Sequence, residues 1–70
     1  IHNLSMSIIR VALDVPLSSL FDYTVVENVV VGQRVVVPFG RRQLVGMVIE
    51  CAIVSEIPSE RIKPVTQVLH

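Results

Sequence analysis

The chain has 70 residues, 51% of them hydrophobic, and its six basic and six acidic side chains give a formal net charge of zero. A chain of this length forms one domain at most, near the size at which a single core only just offsets the entropy of ordering the backbone. No apolar run reaches the roughly 18 residues that a membrane-spanning helix needs, so we expect no membrane partner. The neutral charge also lacks the basic excess that is typical of nucleic-acid-binding modules.

The distribution of charge is more informative than its sum. No acidic residue lies between Glu27 and Glu50, whereas Arg34, Arg41 and Arg42 all lie in that interval. A neutral chain can therefore carry a local positive stripe that attracts an anionic partner.

Cysteine usage and the start of the chain bear on its compartment and boundaries. The single cysteine, Cys51, excludes an internal disulfide and a metal site of clustered thiolates, and its apolar neighbours predict a buried structural thiol. The absence of paired cysteines and of a signal-peptide pattern predicts a reducing cytoplasm.

We expect residues 1–7 to be a disordered start or an expression remnant, followed by a single domain over 8–70.

Valine is the commonest residue, which favours strands over helices, and alternating apolar residues predict the first two strands. One covers 8–15, with its odd-numbered residues on one face, and Pro16 ends it. The next covers 21–26, where the aromatic and valine side chains at odd-numbered positions share one face and Asp22 and Thr24 share the other.

The middle of the chain is predicted to form a hairpin. A tight turn at Gly32 and Gln33 leads into a third strand over 34–39, and the residues GRRQ at 40–43 form the tip that leads into a fourth strand over 44–54.

The fourth predicted strand, LVGMVIECAIV, is the longest. One face consists of Val45, Met47, Ile49, Cys51 and Ile53. Gly46 lies on the opposite face and predicts a bulge or a close backbone contact.

The rest of the chain is predicted to form a loop or single helical turn that begins at Ser59, and then a last strand over 65–69. Together these elements predict an all-β, small antiparallel OB-like or SH3-like barrel of about five to six strands.

Catalytic patterns are poorly represented. His2 and His70 lie at the ends of the chain, the three glycines are too scattered for a phosphate-binding loop, and Asp14 and Asp22 are typical of solvated strand-face acids. We expect no catalysis and no cofactor within this chain.

Three short motifs suggest binding, although each has an ordinary structural interpretation. In FDY (21–23), Asp22 is either a surface acid or an acceptor for a ligand hydroxyl or amine. In FGRR (39–42), Gly40 either forms a hairpin turn or lets a ligand approach the backbone. In RIK (61–63), Lys63 is either solvated or held by Pro64 to contact a phosphate.

The ordered blocks VALDVPLSSLFDYTV, VGQRVVVPFGRRQLVGMVIE and IKPVTQVL resemble the N-terminal domain of the primosomal replication-restart helicases, the primosomal protein N′ (PriA) family. The resemblance covers nearly all of 10–69, with isoleucine before the final lysine and proline after it. It implies a domain that binds the 3′ end of the leading strand at a stalled replication fork. The pocket implied by the resemblance consists of Phe21, Asp22, Gly40 and Lys63, with Arg41 and Arg42 as a peripheral attraction for the backbone.

The same resemblance implies the remaining partners and cofactors. We expect single-stranded DNA 3′ ends, forked DNA, the rest of the helicase chain and other primosome proteins as partners, in a bacterial cytoplasm at the nucleoid. The family protein is an ATP-dependent 3′–5′ DNA helicase, so ATP, magnesium and zinc are expected only in the helicase part.

A 3′ end differs from an internal position by a free hydroxyl. The Asp22 carboxylate can accept a hydrogen bond from that hydroxyl. A phosphate at the same place offers no donor and repels the carboxylate, so one side chain can attract an end and reject an interior. Two alternatives remain open from the residues: a barrel that only docks other proteins, and an RNA-binding barrel, for which exposed stacking aromatics are lacking.

Overall fold

The computed structural model describes residues 6–70, which form five β-strands and one short 3₁₀-helical turn. The strands are β1 (Ser7–Leu13), β2 (Phe21–Val25), β3 (Arg34–Phe39), β4 (Arg42–Glu50) and β5 (Gln67–Leu69), and the 3₁₀ turn covers Ser59–Arg61. Within 6–70 no helix has the length and apolar character needed to cross a membrane. Of the predicted start segment, 1–5 lies outside the described residues, and Ser7 is already the first residue of β1.

The five strands form one antiparallel sheet in the order β2-β1-β4-β3-β5. The sheet curls because the last part of the chain, residues 63–69, hydrogen-bonds to β2 at one edge of the sheet and to β3 near the other edge. The Thr24 amide donates to the carbonyl oxygen of Lys63 at 3.0 Å, and the Val65 amide donates to the carbonyl oxygen of Thr24 at 2.8 Å, while β5 pairs with β3. The predicted small all-β, OB-like barrel is confirmed, with five strands.

The core lies where the predicted alternation places it in β1 and β3. Ile9, Val11, Val35 and Val37 are 0% exposed, as is Val48 of β4. Burial of one such aliphatic side chain stabilises the fold by about 1.5–3 kcal/mol. The predicted first strand ends two residues too late, because the chain bends before Pro16, whose ring restricts the residue before it and supplies no backbone donor.

β4 departs most from its prediction. It ends at Glu50 rather than at residue 54, because Ala52 takes a left-handed conformation (φ 52°) that interrupts the extended backbone. Cys51 therefore follows the strand instead of lying in it, and its half-buried thiol donates to the carbonyl oxygen of Val29 at 3.5 Å. The prediction that Cys51 and Ile53 continue the face of the strand is wrong.

The inner face of β4 is set by a close backbone approach at Gly46. A Cβ atom there would lie 2.5 Å from Cγ1 of Val11 and 2.9 Å from the carbonyl oxygen of Ala12. The register of β1 against β4 also shifts between Arg10 and Val11. Both features agree with the predicted bulge or close contact, and they leave Val45, Met47 and Ile49 on the exposed side of the sheet.

Candidate functional site

A cleft of about 890 Å³ opens where β2, the tip of the β3–β4 hairpin and the segment after the 3₁₀ turn meet. It brings together four residues that the sequence singled out: Phe21, Asp22, Gly40 and Lys63. We call it the end cleft, and it is lined by Arg10, Ser19, Leu20, Phe21, Asp22, Tyr23, Pro38, Phe39, Gly40, Val54, Glu56, Ile57, Arg61 and Lys63.

Two half-buried aromatic rings form an apolar part of the lining. The ring centroids of Phe21 and Phe39 lie 5.2 Å apart with an interplanar angle of 79°, the edge-to-face arrangement that aromatic pairs prefer. Phe39 belongs to the predicted FGRR motif but was not among the predicted site residues, and its contact with Phe21 makes it part of the site. Leu20 and Ile57 add exposed apolar surface to the same lining.

The Asp22 carboxylate already accepts two hydrogen bonds. Its Oδ1 atom accepts from Nε of Arg10 at 3.3 Å, and its Oδ2 atom accepts from the hydroxyl of Ser55 at 2.5 Å. The side chain is only 12% exposed, and Ser55 of the connector 51–58 contacts one of its oxygens. Asp22 is therefore a covered acceptor at the cleft rather than a solvated acid.

Strand register explains the ion pairs around Asp22. Arg10 stands opposite Asp22 in β2 and opposite Glu50 in β4, and its guanidinium lies 3.0 Å from Oε1 of Glu50. The hydrogen bond with Asp22 is the largest influence on Arg10 and raises its pKa above the ordinary value; burial lowers this pKa, and the charges of Glu50 and Asp22 raise it further. Arg10 remains a cation at every accessible pH.

Tyr23 packs in the core as predicted, with 4% of its surface exposed. Its hydroxyl donates to the carbonyl oxygen of Pro38 at 2.8 Å, and burial raises the pKa of the phenol.

Gly40 occupies the first of the two tip positions of the β3–β4 hairpin, where Phe39 pairs with Arg42. Its φ of 60° is a left-handed conformation that glycine adopts without steric cost, as a two-residue hairpin turn with glycine first requires. No atom lies within 4 Å of the position that a Cβ would take, so a side chain there would extend into open space beside the cleft.

The basic residues divide into two groups. Arg41 and Arg42 are exposed but do not line the cleft, whereas Arg61 and Lys63 both line it. Ile62 between them is 8% exposed and anchors the segment. The alternation of cation, apolar residue and cation in RIK is a sequence signal that could have identified Arg61.

Sequence reasoning did not identify Arg10 and Ser55 as site residues. The 12-residue separation of Arg10 from Asp22 fits a hairpin partner, so a register prediction could have found it. Ser55 lies in an irregular segment 33 residues from Asp22, and no local pattern indicates that contact. Among the described residues, no group of three or more His, Cys, Asp or Glu side chains is placed to hold a metal ion.

The fold and the cleft define a small antiparallel barrel whose cleft is lined by two carboxylates, two phenylalanines and three basic residues. A family model described as 3′DNA-binding domain (3′BD) matches residues 10–70, and the chain belongs to that family. A curated relative, Replication restart protein PriA of Haemophilus influenzae, is 44% identical over 66 residues, which is 91% of this chain and 9% of the relative. The chain thus spans a small part of that relative's length, and the family resemblance drawn from the sequence is confirmed.

Proposed function

We propose that this domain binds the 3′ end of a DNA strand in the end cleft and recognises its free hydroxyl through Asp22. The observation that carries the proposal is the convergence of Phe21, Asp22, Gly40 and Lys63 on one cleft, although their motifs are far apart in the sequence. The family membership supports DNA as the ligand.

Each lining group has a chemical role in this proposal. The Asp22 carboxylate accepts a hydrogen bond from the 3′-hydroxyl and repels a phosphate in the same place. The open side of Gly40 admits the terminal nucleotide, and Phe21 packs against its base or sugar. Lys63 contacts a backbone phosphate, so the binding is largely independent of base sequence.

The family and its relative support a proposal for the biological setting. The relative is named as a replication restart protein, and it comes from a bacterium. We place the action of this domain on the bacterial chromosome, at the leading-strand end of a stalled fork, as part of an ATP-dependent helicase chain. Its further partners in this proposal are the rest of that chain and other primosome proteins.

The test compares one oligonucleotide with a 3′-hydroxyl, a 3′-phosphate or a 2′,3′-dideoxy end, in binding titrations with the 70-residue chain. Affinity of about micromolar strength or weaker is expected, because few phosphates are contacted. Because a hydrogen bond to a charged group contributes about 1.5–3 kcal/mol, the hydroxyl end is expected to bind up to about tenfold more tightly than either blocked end. Equal affinity for the three ends would contradict the proposal.

One observation favours a second function, the docking of other proteins. Val45 and Met47 form an exposed apolar face on the side of β4 opposite the core, and they are 54% and 44% exposed. Exposed apolar patches often mark protein interfaces. A titration with short single strands that left the Gly40 and Lys63 amide resonances unchanged would favour docking over DNA binding.

A further inference from the structure

Ser55 makes the shortest contact of the Asp22 carboxylate. Its hydroxyl donates to Oδ2 at 2.5 Å, and its oxygen accepts from the backbone amide of Ile57 at 3.1 Å. The second bond fixes the hydroxyl so that its proton points to the carboxylate. An aliphatic hydroxyl of the protein therefore already makes the type of bond that the proposed ligand would make.

The two donors on Asp22 differ in how firmly they are held. Arg10 lies in the middle of β1, is paired across strands with Asp22, and also binds Glu50. Ser55 lies in the connector, between the 93% exposed Val54 and the exposed Glu56. A segment with so little packing around it opens at low free-energy cost, so Ser55 is the donor that can leave.

From this geometry we propose that Ser55 is a specificity-determining residue that, in the absence of DNA, bonds the Asp22 oxygen that would accept the 3′-hydroxyl, and that the 3′-hydroxyl of the strand displaces it. The proposal rests on the proposed recognition of the 3′ end by Asp22. Displacement of Ser55 costs one charge-assisted hydrogen bond, and only a ligand that donates a hydrogen bond restores it. A blocked end has no donor at its 3′ position and leaves Ser55 in place.

This exchange predicts that removal of Ser55 strengthens binding of hydroxyl ends. In Ser55→Ala without DNA, water hydrates the Asp22 oxygen that Ser55 bonds in the unmodified chain. Water competes with the 3′-hydroxyl less well than a fixed intramolecular donor does. We expect affinity for the 3′-hydroxyl end to rise about tenfold, with affinity for the dideoxy end unchanged within about twofold. The ratio of the two affinities isolates the hydroxyl contact from any change in the cleft wall, which affects both ends alike.

A matched control lies in the same cleft. Ser19 is an exposed serine of the lining, so Ser19→Ala removes a hydroxyl from the cleft without removing the donor to Asp22. We expect Ser19→Ala to change the two affinities alike, so that their ratio stays as in the unmodified chain. A hydroxyl preference that is unchanged or reduced in Ser55→Ala would overturn the proposal.

A spectroscopic measurement on the unmodified chain provides a second test. Because the Ile57 amide donates to the Ser55 hydroxyl oxygen, its resonance reports on the position of that side chain. Addition of the hydroxyl-ended strand is expected to shift the Ile57 resonance, and the dideoxy-ended strand is expected to leave it in place. An Ile57 resonance that responds equally to both strands would contradict displacement. If neither the unmodified chain nor Ser55→Ala prefers the hydroxyl end, recognition by Asp22 fails; if the unmodified chain prefers the hydroxyl and Ser55→Ala does not increase that preference, only the role of Ser55 fails.

Discussion

The hydroxyl of Tyr23 donates to the carbonyl oxygen of Pro38 at 2.8 Å, and this bond joins two strands that are not neighbours in the sheet. In the sheet order, β1 and β4 lie between β2 and β3. The residues next to the bonded pair, Asp22 and Phe39, both line the end cleft. The bond thus sets the separation of the two motifs that form opposite sides of the cleft.

The first prediction concerns the stability that this bond contributes. Tyr23→Phe keeps the buried ring and removes the hydroxyl, so the free energy of unfolding should fall by about 0.5–1.5 kcal/mol. Urea unfolding measures the change, and the slope of the transition should stay constant because the buried area is preserved. An unchanged midpoint would show that the bond contributes nothing to stability.

The same phenol predicts a loss of stability in alkaline solution. Burial raises the pKa of Tyr23 in the fold above its unfolded value of about 10. The folded chain then holds this proton more tightly than the unfolded chain, so the contribution is complete below about pH 10 and declines as the pH rises through the folded pKa. Urea unfolding between about pH 9 and pH 11 should show this decline, and Tyr23→Phe should show a flatter profile.

The third prediction separates end recognition from general DNA affinity. Asp22→Ala removes the proposed acceptor, and the preference for a 3′-hydroxyl over a 3′-phosphate should fall about tenfold or more. Asp14→Ala is a matched control, because Asp14 is an exposed acid just after β1 that does not line the cleft. Binding titrations measure the ratio for each variant. An unchanged ratio in Asp22→Ala would exclude this carboxylate as the hydroxyl acceptor.

The fourth prediction uses two glycines that share a positive φ and open space around the position that a Cβ would take. They are Gly40 at 60° and Gly32 at 94°, and neither has an atom within 4 Å of that position. Alanine strains the backbone at both positions, at a cost of about 1–2 kcal/mol in stability. Only the methyl group of Gly40→Ala would extend beside the cleft, so only that variant should lose affinity for the strand end. A loss of equal size in Gly32→Ala, measured on the folded fraction, would assign the effect to backbone strain.

The barrel could be predicted from the sequence where polar and apolar residues alternate strictly. In β1 and β3 the period of two identifies the buried face, and Ile9 and Val35 are 0% exposed as expected. The segment 44–54 is apolar on both faces, so its pattern does not identify the inner one. The inner face follows from the close approach of β1 to Gly46, which is a tertiary contact.

Site residues, like strands, could be predicted where the signal is a local sequence motif and could not where it depends on a tertiary contact. The family motifs identified Phe21, Asp22, Gly40 and Lys63, and all four line one cleft. The environment of Asp22 could not be predicted, because its donor Ser55 lies in a connector whose course depends on the left-handed residue at its start. Irregular backbone carries no periodic signal, so contacts made from it become visible only in the structure.

The last prediction assigns the phosphate contact to two basic residues rather than one. Arg61 and Lys63 both line the cleft, and burial of Ile62 between them fixes the segment that carries them. For single-stranded DNA, each lost phosphate contact reduces the slope of log affinity against log salt by about 0.7. Arg61→Ala and Lys63→Ala should each show this reduction, with the preference for a 3′-hydroxyl unchanged because Asp22 is intact. Arg34→Ala is the control, since Arg34 is an exposed cation outside the cleft. A salt slope that falls equally in Arg34→Ala would mean that the whole surface, and not the RIK segment, attracts the strand.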